Sequence, residues 1–169
     1  TIIDISRKAT IILIVAFLEI SIMVASVLLI INLYDQQFAT LRDVNANLKA
    51  NGVFLSMPES NPFKLLGNEY EKSACTEGHK DIYKNLAFTA IIDKDAQKVK
   101  AIITQNDKHS LYDIKAGKAC EKAEQILTAN GFLNKTDNAY QYIKDDVTVT
   151  LIYNEDKKLK GFMVESLSV

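Results

Sequence analysis

The sequence predicts an α+β protein. A long N-terminal helix, membrane-spanning in its first half and amphipathic in its second, packs on an antiparallel β-sheet head with one further helix. Three observations predict it. Residues 9–33 form an apolar run whose only formal charge is Glu19. Apolar residues then recur at helical spacing as far as Leu48. Beyond Gly52, short β-branched runs alternate with turn residues, the pattern of antiparallel strands.

The apolar run comes first. As a helix its roughly 25 residues would measure about 37 Å, against about 30 Å for the hydrocarbon layer of a bilayer. Glu19 costs about 2.5 to 3.5 kcal/mol near a helix centre, while each of about 16 Leu, Ile, Phe and Val residues returns about 0.3 to 0.6. The apolar side wins, and the run is expected to span a membrane. A cleaved signal peptide is the competing reading. Its apolar core would be about 7 to 15 residues long and would end in small residues, unlike Asn32-Leu33-Tyr34-Asp35. Arg7 and Lys8 precede the run and Asp35 follows it. Cations stay on the cytoplasmic side, so the N-terminus is expected inside and the C-terminal domain outside the cytosol. The expected divisions are an arm at 1–8, a spanning helix at 9–33, its amphipathic continuation at 34–51, and an extracytoplasmic head at 52–169.

The continuation rests on Tyr34, Phe38, Leu41 and Leu48, with polar residues between them. Apolar residues at such spacings make one helical face. No glycine or proline intervenes before Asn51-Gly52, a plausible C-terminal stop. This face is expected to pack on the head's sheet and also to suit contact with neighbouring copies. Residues 52–80 read as irregular, because Met57-Pro58-Glu59-Ser60-Asn61-Pro62 is turn chemistry.

Residues 86–92 and 99–104 flank Asp93-Lys94-Asp95 and read as a hairpin. A helix is predicted over 116–130, with Ala119, Cys120, Ala123, Ile126 and Leu127 on one face and Gly131 ending it. Three further strands are predicted at 140–143, 147–153 and 159–167. The middle one, Val-Thr-Val-Thr-Leu-Ile-Tyr, is β-branched and aromatic throughout. The sheet should hold four or five strands.

The head carries no basic stripe, and the chain's net charge is −1, which argues against nucleic acid as a partner. Lipid, and copies of the chain or other membrane subunits meeting through the N-terminal helix, are the partners expected. The two cysteines, Cys75 and Cys120, both lie in the external part. An even count in an oxidising compartment suggests a disulfide, with two buried free thiols as the alternative.

Glu19 is the foremost candidate for function, since a carboxyl inside a membrane helix is a functional hypothesis by default. Ala16, Glu19 and Ser26 fall near one helical face, which would let another helix approach. Three roles stay open: pairing with a cation or terminal amine of a neighbouring subunit, a place in a proton path, or a tolerated polar residue hydrogen-bonded within a bundle. Cys75, Glu77, His79 and Asp81 are zinc-ligand types, but no second Cys or His pair stands at ligand spacing. His109, beside Asp107 and Ser110, lacks a nucleophile-elbow motif. No glycine-rich phosphate loop is present. An enzyme, a metal and a cofactor are therefore not expected. Asn134-Lys135-Thr136 fits the glycosylation acceptor pattern, which matters only in a eukaryotic secretory route.

On the whole plan, on Glu19 within Ala16-Phe17-Leu18-Glu19-Ile20, on the opening at Thr1 rather than methionine, and on the pair Cys75 and Cys120, the chain resembles type IV pilins and the pseudopilins of type II secretion. The resemblance implies a lollipop in which one helix, apolar then amphipathic, packs on a head with an antiparallel sheet. It implies that residues 9–33 anchor the precursor in a bacterial inner membrane, with the C-terminal domain periplasmic or extracellular, and then form a filament core. It implies that Glu19 pairs with a neighbour's N-terminal amine, and that the cysteines form a disulfide in the head.

Overall fold

The computed structural model describes residues 2–135 and 140–168, with their side chains except those of residues 2–13, 34, 36 and 37. The chain divides into two units, one ending at Phe38 and one beginning at Ala39. The class is α+β, as the sequence predicts.

The first unit is one helix, α1 (Ile2–Gln37). It contains neither glycine nor proline, so nothing breaks its hydrogen-bond ladder. Every side chain from Ile14 to Leu33 is exposed. That stretch is long and apolar enough to cross a membrane, as a transmembrane helix or a signal sequence would be. Its two serines are already satisfied. Ser21 Oγ donates to the Phe17 carbonyl and Ser26 Oγ to the Ile22 carbonyl, each at 2.8 Å, so neither leaves an unpaired hydroxyl on an apolar surface.

The expected single helix to residue 51 is divided instead. A turn at Phe38 ends α1, and α2 (Ala39–Asn47) opens the second unit. The chain then leaves the helix at Leu48. Leu48 and Lys49 form β1, which pairs antiparallel with β6 (Ser110–Leu111). Asn47 Nδ2 also bonds back to the Asp43 carbonyl at 2.9 Å, and such local side-chain bonds favour helix ends over interiors. Three polar contacts pin α2 within its unit. Thr40 donates to the Asp145 carboxylate. Tyr112 Oη donates to Asp43 at 2.7 Å. The Asn45 amide exchanges two hydrogen bonds with the Leu55 backbone.

The sheet holds eight strands, all pairings antiparallel, rather than four or five. Its order is β2 (Glu71–Cys75), β3 (Gly78–Tyr83), β4 (Phe88–Asp93), β5 (Val99–Thr104), β10 (Leu159–Ser166), β9 (Val147–Tyr153), β8 (Gln141–Lys144) and β7 (Leu133–Asn134). The predicted hairpin is β4–β5, and the three C-terminal strands are β8, β9 and β10. Period-two alternation puts Phe88, Ala90 and Ile92 on one face. They sit opposite Thr104, Ile102 and Val99, which lead on to Phe162 and Val164 and then to Leu151 and Val149. All of these side chains are buried. Leu41, Val44, Leu55, Met57, Ala123, Leu127 and Phe132 are among the other residues of the core.

The reading of 52–80 as irregular is overturned. This stretch contains α3 (Ser60–Leu66), all of β2 and the start of β3. The strands escaped notice because β2 is an edge strand whose first four residues are exposed, so it carries no apolar alternation. What holds it is backbone pairing to β3 from Glu71–Ile82 to Cys75–Gly78. Gly78 is required at that turn: its φ is +153°, and a Cβ there would stand 2.0 Å from the Ile92 carbonyl oxygen.

The predicted helix at 116–130 is α4 (Cys120–Ala129). It starts late because residues 117–119 are held by the start of β10: Gly117 N donates to Leu159 O at 2.7 Å and Leu159 N to Lys118 O at 2.8 Å. Ala123 and Leu127 are buried, as the face requires, whereas Ala119 is exposed. Gly131, with φ +82°, follows its end.

Candidate functional site

Glu19, Ala16 and Ser26 all lie on α1, exposed, within one helical face. The structure gives Ser26 a partner, the Ile22 carbonyl. Of the stripe, Leu41 and Leu48 are buried in the second unit and Phe38 is half-buried at the turn. The side chains of Tyr34, Arg7 and Lys8 lie outside those described, and so does Thr136 of the glycosylation pattern.

The disulfide is corrected. Cys75 and Cys120 are both free. Cys75 ends β2 at the edge of the sheet, whereas Cys120 opens α4, its amide donating to Lys157 O in the β9–β10 turn at 3.1 Å. β3, β4 and β5 intervene between β2 and β10. At about 4.8 Å per strand this is roughly 19 Å along the sheet, beyond the about 4.4 to 6.8 Å between Cα atoms that a bridge allows. Cys120 Sγ instead donates to Glu124 Oε1 at 3.0 Å. Burial, then that carboxylate, push its thiol pKa up.

Of the group Cys75, Glu77, His79 and Asp81, the structure brings His79 and Asp81 within 3.5 Å of each other. Glu77 accepts from Lys100 Nζ at 2.6 Å. Among the described residues no group of three or more His, Cys, Asp or Glu side chains is placed to hold a metal ion. His109 is a core residue: 1 % exposed, Nδ1 2.7 Å from Thr104 Oγ1, ring edge-on to Phe88. Burial lowers its pKa by disfavouring the charged ring.

Sequence reasoning missed a cleft at the β2–β3 end of the sheet. Alternation along β3 puts His79, Asp81 and Tyr83 on the face that carries the core, opposite Ala74, Lys72 and Tyr70 in the extended register of β2. Residues 56–59 run antiparallel to the start of β5. Ser56 N donates to Val99 O, Val99 N to Met57 O, and Glu59 N to Gln97 O, and this lays Glu59 beside β3. The cleft encloses about 440 Å³ between Pro58, Glu59, Ser60, Phe63, Tyr70, Asp81 and Gln97.

Its charges form a chain. Lys72 Nζ donates to Glu59 Oε1 at 3.0 Å. His79 Nε2 lies 3.1 Å from the same oxygen and 3.5 Å from Asp81 Oδ1. These are ion-pair distances for a protonated ring, but neither contact has hydrogen-bond alignment. Asp81 is 3 % exposed, and its Oδ1 has no hydrogen-bond partner. Burial raises its pKa, against the pull of His79 and Lys72. Two residues on, Tyr83 is buried with its hydroxyl unpaired. Burial first, then the Asp81 charge, push that hydroxyl up to about 12. The Tyr70 ring covers Tyr83 at 5.2 Å and meets Phe63 edge-on at 6.4 Å. The signal in the sequence was the spacing of two in His79, Asp81 and Tyr83, polar tips on what alternation makes a core face.

No protein family, curated protein or solved structure matches this chain.

Proposed function

We propose that this protein is a membrane-anchored structural subunit that assembles through its N-terminal helix, most concretely as a pilin-like subunit of an extracellular filament. One observation carries the reading. The fold covers none of the apolar surface from Ile14 to Leu33. A contiguous apolar surface of that size is covered in the functional state by lipid or by other helices. Glu19 fits such a role. A carboxylate on that surface is expensive in hydrocarbon unless a partner charge meets it, and a neighbouring subunit's amine or cation is that partner. In this reading the N-terminal helix is first lodged in a bacterial inner membrane with Arg7 and Lys8 inside, and the second unit acts beyond the cytosol. No catalysis is assigned to it.

A second reading keeps the subunit in the membrane, as a bitopic component of a secretion, motor or other envelope complex. Arg7 and Lys8 favour it, because a filament core would bury those two charges among neighbouring helices, whereas a permanent span leaves them in the cytosol.

Both readings place the chain in the membrane fraction after carbonate washing, and recovery in the soluble fraction would sink them. Shearing intact cells separates the two: a filament subunit enters the supernatant, whereas a bitopic component stays with the cells. Glu19→Gln tests the pairing. It should cut assembled material at least tenfold while the second unit keeps its melting temperature. Normal assembly of the variant would remove Glu19 from the mechanism.

A further inference from the structure

The cleft beside β3 makes a claim that the anchoring role does not absorb. Asp81 is buried and lines the cleft, and its Oδ1 is unbonded. The oxygen faces His79 Nε2 at 3.5 Å without hydrogen-bond alignment, and a buried carboxylate left short of hydrogen bonds is costly, so a donor that reaches the Asp81 carboxylate recovers a large interaction. Glu59 adds a second carboxylate at the wall, and the Phe63 and Tyr70 rings a third and fourth side.

We infer that this cleft binds a small organic molecule through a protonated primary amine. Charge selects a cation: Glu59 and Asp81 are the charged groups that line the cleft, and Lys72 hydrogen-bonds to Glu59 alone of the two. The rings select an organic one: aromatic faces attract ammonium groups and cover an adjoining alkyl stem. Carboxylate oxygens select N–H donors over a quaternary head. A primary ammonium has three N–H groups, to be shared among Asp81, Glu59 and Gln97. The Gln97 amide nitrogen already donates to the Lys94 carbonyl at 2.7 Å, which leaves its oxygen as the acceptor. Lys72 shows the chemistry in miniature. Its ammonium reaches Glu59 at the rim at 3.0 Å but makes no hydrogen bond to Asp81 Oδ1. Half-exposed itself, it can swing out as a ligand enters. A volume of about 440 Å³ suits a molecule of small-metabolite size.

The test titrates the full chain, isotopically labelled in detergent micelles, with n-butylammonium chloride at constant ionic strength while amide NMR shifts are followed. Tetramethylammonium and n-butanol are the matched probes. Saturable shifts confined to residues around Tyr70, His79, Asp81 and Gln97, with tetramethylammonium and butanol at least fivefold weaker, are the expected result. Asp81→Asn should weaken n-butylammonium tenfold or more. An absent or unsaturable response overturns the inference. So does equal binding of tetramethylammonium, or unchanged affinity in Asp81→Asn. If Asp81→Asn fails to fold, Phe63→Ala decides: its ring is 46 % exposed, so the fold survives. A threefold or greater loss of affinity then supports the cleft, and a smaller one overturns it.

Discussion

α1 and the sheet use the same residue types to opposite ends. From Ile14 to Leu33 isoleucine, leucine and valine cover the whole circumference of a helix, and all are exposed. In β4, β5, β9 and β10 the same types alternate with other residues, and one face of them is buried within the unit. Composition therefore does not decide burial; periodicity does. A period of two leaves one face to pack internally and one for water. An apolar surface with no polar side has nowhere to turn but to another phase or another chain.

Substitutions that treat both regions alike should break or sharpen this contrast. The largest effect is expected at Phe88, 2 % exposed at the centre of the core face. Phe88→Ala should destabilise the second unit by about 3 to 5 kcal/mol, read by urea unfolding. Leu28, 61 % exposed on α1, is the matched control. Leu28→Ala should leave that transition within about 0.5 kcal/mol. Equal effects would mean that α1 contributes to the core of the second unit.

A smaller effect of opposite sign is expected at Asp81. Its folded-state pKa is raised above 3.8 by burial. The folded carboxyl therefore holds its proton at pH values where the unfolded one has lost it, and stability falls as pH rises from 3.8 through the folded pKa. Asp81→Asn removes that loss. It should stabilise the second unit by about 1 kcal/mol at pH 7, and the gain should vanish below pH 3.8, as melting curves across pH would show. A loss of stability at pH 7 would mean that the attraction of His79 and Lys72 for the carboxylate outweighs burial.

The smallest effect separates the two thiols. Both cysteines should be alkylated without prior reduction, and a mass count of two adducts checks it. Cys120 should react severalfold more slowly, because thiolate is the reactive form and its pKa is raised. Glu124→Gln should speed it.

Much of the second unit was legible in the sequence. The boundaries of β9 match its β-branched run, and β4, β5 and β10 fall within two residues of theirs. Each of these strands has a buried face, and a buried face writes a pattern. β2 has none, so its polar residues read as loop. The helix break at Phe38 was illegible because no glycine or proline marks it, and α2 is instead fixed by Asp145, Tyr112 and Leu55, all distant in sequence. The cleft was half-legible. His79 and Asp81 stood out as chemistry-bearing residues, but Glu59 joins them only through the pairing of 56–59 with β5.

By itself the sequence determined the class, the unbroken apolar helix and the strands with a buried side, because local periodicity is enough to say which residues must leave water. Tertiary structure decided the eight-strand order, the separation of Cys75 from Cys120, and the meeting of Glu59, His79 and Asp81. Those depend on which strand lies beside which, and backbone pairing between distant segments leaves no mark on the residues that form it.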